Sequence, residues 1–180
     1  SASKFLVGTG KDNVHLCVVI TADKGLCGGF NSQIIKHTQR EINSLLAEGK
    51  NVSVLFFGKK AASGLNTKKV TVVRSVEGKN PKNFTEYSVA LCDELVDLLK
   101  KNAFERTLLL FNNFESLMIQ SPITQQILPM KIEKSEESSG DYIYEPGGQQ
   151  ILAELLPMVL NAQLLQAFLE TEAGEQSARM

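Results

Sequence analysis

The feature that most limits the fold is a near-continuous apolar run, His15-Leu16-Cys17-Val18-Val19-Ile20-Thr21, leading straight into a glycine-rich turn and then a helix. A strand that is half exposed alternates apolar and polar residues. An unbroken run belongs in a strand covered on both faces, as in a parallel sheet flanked by helices. The turn is Asp23-Lys24-Gly25-Leu26-Cys27-Gly28-Gly29-Phe30-Asn31-Ser32. From Asn31, apolar residues at Ile34, Ile35, Ile42, Leu45 and Leu46 line one side of a helix that Gly49 stops.

The alternation continues. Asn51 to Phe57 reads as a second strand, Lys59 to Leu65 as a short helix and Lys69 to Val73 as a third strand. Phe84, Tyr87, Leu91, Leu95 and Leu98 repeat at spacings of three and four, the signature of an amphipathic helix. Arg106 to Phe111 is a fourth strand. Asn112-Asn113 is expected to turn the chain back into an extended segment, Leu117 to Leu128. Pro122 and Pro129 place that segment at a sheet edge, because proline gives nothing to an inner ladder. Strands alternating with helices predict an α/β layered sheet. Residues 1–13 read as a loose leader. From Gln149 a long helix runs towards the end, apolar over more than one stripe, with Pro157 expected to kink it or mark an irregular first turn.

Composition narrows the class. A chain of 180 residues suffices for one domain with its own core. A net charge of −1 argues against nucleic acid as a partner. No window reads as a membrane span. The three cysteines, Cys17, Cys27 and Cys92, are odd in number and fit reduced thiols.

The glycine-rich turn has two readings. Backbone N–H groups at a helix start favour anions, which makes a small nucleotide-binding enzyme one hypothesis. Yet neither G-x-G-x-x-G nor G-x-x-x-x-G-K-[ST] is present, and Gly25, Gly28 and Gly29 also suit a tight structural turn. Cys27 is placed where helix N–H groups lower a thiol pKa, but no motif ties His15 or His37 to it. No Cys, His, Asp and Glu spacing resembles a metal site. No catalytic residue, cofactor or metal is assigned. Tyr142 and Tyr144 share a side if their segment is extended, either as a partner surface or as a cap on the sheet edge.

Taken in order, several segments resemble a known family, the gamma subunit of the F-type ATP synthase. They are Asp23 to Ser32, Phe111-Asn112-Asn113-Phe114, Gln120-Ser121-Pro122 leading to Gln126-Ile127-Leu128-Pro129, Tyr142-Ile143-Tyr144-Glu145-Pro146 and Glu175 to Met180. They span nearly the whole chain with family-like spacing.

The resemblance implies a three-layer α/β/α sandwich around a five-stranded, mostly parallel sheet of order 3-2-1-4-5. The last strand is antiparallel, and a long C-terminal helix is added. It implies a Rossmann-like foot domain over 14–146 and the start of a stalk helix over 147–180, without the family's long N-terminal helix. It implies a non-catalytic rotor subunit that couples proton-driven rotation of the c-ring to ATP synthesis at the alpha and beta subunits. The epsilon subunit and the c-ring are the implied partners of the foot, with Tyr142, Tyr144, Glu145 and Pro146 near those contacts. Asp23, Lys24, Gly25, Leu26, Cys27, Gly28, Gly29 and Asn31 are the family's motif turn. The implied location is peripheral, on the cytoplasmic face of a bacterial plasma membrane or the matrix side of a mitochondrial inner membrane.

Overall fold

Strand β1, Val14–Ile20, sends alternate side chains into two different cores. Leu16, Val18 and Ile20 point to one face, Cys17 and Val19 to the other, and all five are fully buried. This is the physical content of the unbroken apolar run: a central strand has no solvent face to mark with polar residues. The computed structural model describes residues 2–23, 30–78, 80–131 and 147–179, with Ala2, Ser3, Phe30 and Asn31 described by backbone alone.

Around β1 lie β2 (Asn51–Phe57), β3 (Thr71–Val76), β4 (Arg106–Phe114) and β5 (Gln120–Leu128), in the order β3-β2-β1-β4-β5. The first four strands pair in parallel and β5 runs antiparallel to β4. The three-layer order expected from the sequence is met.

On the second face, α2 (Phe30–Ala47) and α3 (Lys59–Gly64) pack through Ile42 and Ala61 against Cys17, Val19, Val54, Phe56 and Leu110. Past the end of α2, Gly49 takes φ +79°, and the amides of Gly49 and Lys50 return to the carbonyls of Leu46 and Leu45. This closes the helix as the sequence anticipates. On the first face lie α1 (Ala2–Leu6), α4 (Phe84–Lys100) and α5 (Gly148–Arg179). Phe5, Phe84, Leu91, Leu95, Leu156, Leu160, Leu164 and Phe168 fill that core.

Four expectations need correction. The leader is not loose: α1 buries Phe5, and the amide of Met130 donates to the Phe5 carbonyl. One apolar side chain docks a segment too short to show periodicity. The third strand begins at Thr71 rather than Lys69, because Val70 is held in a turn by its bond to the Thr67 carbonyl. Asn112-Asn113 do not turn the chain. Both lie inside β4, opposite Pro122 and Ser121, and the reversal falls at Glu115–Ile119.

Pro157 lies inside α5, which runs as one helix over Gly148–Arg179, and its carbonyl accepts from the Cys92 thiol on α4 at 3.4 Å. Packing against α4 compensates for the single backbone bond that proline removes. Finally, α5 is long and apolar enough to cross a membrane by length and composition, which the sequence reading did not expect. Its row Leu156, Leu160, Leu164 and Phe168 is buried against the sheet and α4, while most of the apolar stretch is not buried.

Candidate functional site

Ligands of open α/β sheets bind beyond the carboxyl ends of the strands, and here that edge is built by β1, β2 and the turns that follow them. Thr21 closes it from below. Its amide donates to the Phe57 carbonyl at 2.7 Å, and its hydroxyl accepts from the Ala61 amide at 3.1 Å inside α3. Gly58 follows β2 directly and donates to the Val76 carbonyl at 2.9 Å, tying in β3.

Asp23 sits above this layer. One carboxylate oxygen, Oδ1, accepts from the Lys59 amide at 3.0 Å and from the Gly78 amide at 3.1 Å. The α3 helix has no side-chain cap from its own N-cap residue, Gly58, so a carboxylate from another strand's end serves its first turn. The chain's own carboxylate thus satisfies one amide at the start of α3 and one in the turn after β3. On the far side, Ala22 packs against Ala178 near the end of α5.

Asp23 is therefore the motif residue that the structure ties into the fold. The remainder of the motif, Lys24, Gly25, Leu26, Cys27, Gly28 and Gly29, lies outside the described residues, as does the side chain of Asn31. Tyr142, Tyr144, Glu145 and Pro146 lie outside them too. Sequence reasoning missed Thr21 and Gly58. The available signal was a glycine placed immediately after a buried strand.

Truncating Asp23 to alanine is expected to destabilise the domain by about 2 kcal/mol, the scale of losing charge-assisted bonds to two amides. Urea titration of wild type and D23A checks this, and a shift under 0.5 kcal/mol by the same measure would show the clamp to be idle. Millimolar ATP is expected to leave the melting temperature of the wild type unchanged.

The histidines are engaged elsewhere. His15, nearly fully buried at the opposite end of β1, places Nε2 at 2.8 Å from Asp12 Oδ1, which Arg106 Nε also meets at 3.1 Å. The Nε2 atom of His37 lies 2.7 Å from the Thr124 hydroxyl on β5, and burial lowers its pKa from the ordinary value. Among the described residues, no cluster of three or more His, Cys, Asp or Glu side chains is arranged for a metal.

The two described thiols are buried and inert. Burial, with Glu41 nearby, pushes Cys17 up to about 12, and burial with Asp93 pushes Cys92 up to about 11. Both keep their protons in the folded state at a pH where an unfolded thiol, with pKa about 8.5, has lost its own. This contribution to stability is complete below that unfolded value. It is lost as pH rises towards the folded one. For Cys17 the loss reaches about 2 kcal/mol by pH 10. C17A is expected to flatten the fall of the urea midpoint between pH 8 and pH 10. An unchanged slope would exclude a shifted thiol.

The second candidate surface is the outer side of α5. Ile151, Leu155, Met158, Val159 and Leu169 are exposed there, at spacings that put them roughly opposite the buried row. A helix that is apolar on two sides has one face for its own domain and one for another element.

A family model described as ATP synthase matches residues 1–180, the whole chain. The gamma chain of Erythrobacter litoralis is 37% identical over 191 residues, covering 100% of this chain and 63% of the relative. The gamma chain of Cereibacter sphaeroides is 39% identical over 183 residues, again covering 100% and 63%. The chain belongs to the ATP synthase gamma-chain family. It spans about 63% of the length of the curated gamma chains that it matches.

Two solved structures share the fold. One is titled as the central stalk and c-ring of the Tetrahymena thermophila mitochondrial ATP synthase, with TM-score 0.68, 22% identity, and coverage of 99% of this chain and 78% of that chain. The other is titled as the rotor of the Euglena gracilis mitochondrial ATP synthase, with TM-score 0.66, 18% identity, and coverage of 99% and 71%. Gamma-chain membership gives the clamp at Asp23 and the two-sided α5 a common setting: a structural domain fastened to a helix.

Proposed function

We propose that this chain supplies the foot of the central rotor stalk of a proton-transporting F-type ATP synthase. Its role is mechanical. Residues 14–146 form the foot and residues 147–180 begin the stalk helix. Rotation of the membrane c-ring enters through the foot and leaves through that helix towards the alpha and beta subunits, where the nucleotide chemistry takes place. The chain itself turns over no substrate.

The observation that carries this reading is α5. One face is locked into the domain core by Leu156, Leu160, Leu164 and Phe168, while the other presents an exposed apolar row. A helix held this way turns as one body with its domain, and its free row suits a second helix of a coiled coil. Gamma-chain membership supports the same assignment. Asp23 accepts from the Lys59 and Gly78 amides, which makes the start of the motif turn a structural joint between the ends of β1, β2 and β3.

The epsilon subunit and the c-ring are the proposed partners of the foot, with Tyr142, Tyr144, Glu145 and Pro146 in the contact. The location that follows is peripheral, on the cytoplasmic face of a bacterial plasma membrane, or on the matrix side if the source is mitochondrial. Calorimetric titration with the folded epsilon subunit of a bacterial relative is expected to give micromolar binding, with no ATP hydrolysis by the chain alone. Absence of heat at high micromolar concentration would remove the epsilon contact from the proposal.

A further inference from the structure

The loop joining β4 to β5 spends its polar backbone inwards and its apolar side chains outwards. The amides of Glu115 and Ser116 both donate to the Ile119 carbonyl, and the Ile119 amide donates back to the Ser116 carbonyl. The Ser116 hydroxyl accepts from the amides of Met118 and Ile119 at 3.2 and 3.1 Å. What remains for solvent is Leu117 at 65% exposure, Met118 at 92% and Ile119 at 55%. Turns ordinarily carry polar residues, and three successive exposed apolar side chains at a hairpin tip are unfavourable unless something covers them.

The tip is also fastened to the stalk helix. The Ser177 hydroxyl donates to the Leu117 carbonyl at 2.9 Å, and Glu170 Oε1 accepts from the Phe114 amide at 3.3 Å. A knob ordered before binding loses little further entropy on docking. Its surroundings carry a sign. The charged residues of the loop and of the last turns of α5 are Glu115, Glu170, Glu172, Glu175 and Arg179, and Arg179 is paired with Glu175. No described cation pairs with Glu115, Glu170 or Glu172.

We propose that Leu117-Met118-Ile119 is a docking knob for an apolar pocket rimmed by lysine or arginine on a neighbouring protein subunit of the assembly. This inference rests on the stalk reading above. The carboxylates choose the occupant. An anionic lipid surface would be repelled by them. A second copy meeting the knob about a two-fold axis would set the same acidic rim against itself.

The test places a photo-reactive benzoyl-phenylalanine at Met118 of the full-length protein in the assembled complex, and reads the crosslinked peptides by mass spectrometry. The expected product joins position 118 to a peptide of a different subunit that has apolar residues and at least one Lys or Arg close by. Glu115→Lys is expected to lower the yield about five-fold, since reversing a rim charge opposes a cationic pocket. Crosslinks confined to this chain, to lipid, to a second copy or to an acidic peptide would overturn the proposal. So would an unchanged yield in the Glu115→Lys variant. Co-elution of the tagged protein with the other subunits separates the two failures. If it does not co-elute, the stalk reading falls and this inference with it. If it co-elutes and gives no intersubunit crosslink, this inference falls alone.

Discussion

Phe168→Ala is expected to destabilise the domain by about 3–5 kcal/mol, the range for deleting a fully buried aromatic side chain. Phe168 has no exposed surface and meets three rings. Phe57 of β2 stands edge-on at 5.1 Å, Phe84 of α4 stacks at 5.5 Å and Tyr87 of α4 lies tilted at 6.3 Å. One side chain of α5 thus touches both the sheet and the neighbouring helix. Aromatic pairs add about 0.5–1.5 kcal/mol each beyond area burial, so three pairs put the loss towards the upper end.

Thermal unfolding should show a drop of roughly 10 °C or more for a domain of this size. Phe168→Leu keeps much of the volume and loses the ring contacts, and its cost should be about 2–3 kcal/mol. Leu169→Ala, one residue along on the exposed row, is the control and should cost under about 1 kcal/mol. If the two alanine variants melted alike, α5 would not be anchored through this cluster. The mechanical reading would then lose its fixed joint.

The legibility of these features in the sequence follows the physics of each. The central strands were legible because burial on both faces leaves an unbroken apolar run, as in β1 and β2. The α4 helix was legible because its three-and-four spacing records one buried face. The two-sided character of α5 was visible for the same reason: Ile151, Leu155 and Met158 cannot share a stripe with Leu156, Leu160 and Leu164. Elements specified by tertiary contacts were not legible. The α1 helix depends on Phe5 reaching a core made mostly by residues far along the chain. The chain reversal at 115–119 depends on Ser116, whose hydroxyl organises the turn, and not on the two asparagines that look like turn residues.

The site divides in the same way. The Asp23 motif stood out as glycine-rich, and its spacing matched neither nucleotide pattern. What the sequence did not reveal was the role of Asp23 as an acceptor for the amides of Lys59 and Gly78, residues 36 and 55 positions away. Nothing local in Asp23-Lys24-Gly25 encodes those partners.

Gly58→Ala is the substitution expected to damage that edge most. Gly58 adopts φ +120° with ψ 133°, a backbone region that side chains strongly disfavour. A Cβ there would lie 2.3 Å from the Thr21 carbonyl oxygen and 2.4 Å from its hydroxyl oxygen. Neither neighbour has room to yield. The carbonyl belongs to the backbone at the end of β1, and the hydroxyl is held by the Ala61 amide. Strain of about 1–3 kcal/mol and overpacking of similar size combine to an expected loss of about 3–5 kcal/mol.

Gly78→Ala separates the two causes. Its φ is +71° and nothing lies within 4 Å of an added Cβ, so it bears backbone strain alone, about 1–2 kcal/mol. Urea titration of both variants measures the difference, and equal losses would mean that contact with Thr21 is not the reason for glycine at 58. The consequence extends past stability, because Thr21 lies two residues before Asp23. Any relief of the clash must move the end of β1 away from β2. That displacement would pull the Asp23 carboxylate off Lys59 and Gly78, and the motif turn would lose its anchor in the sheet.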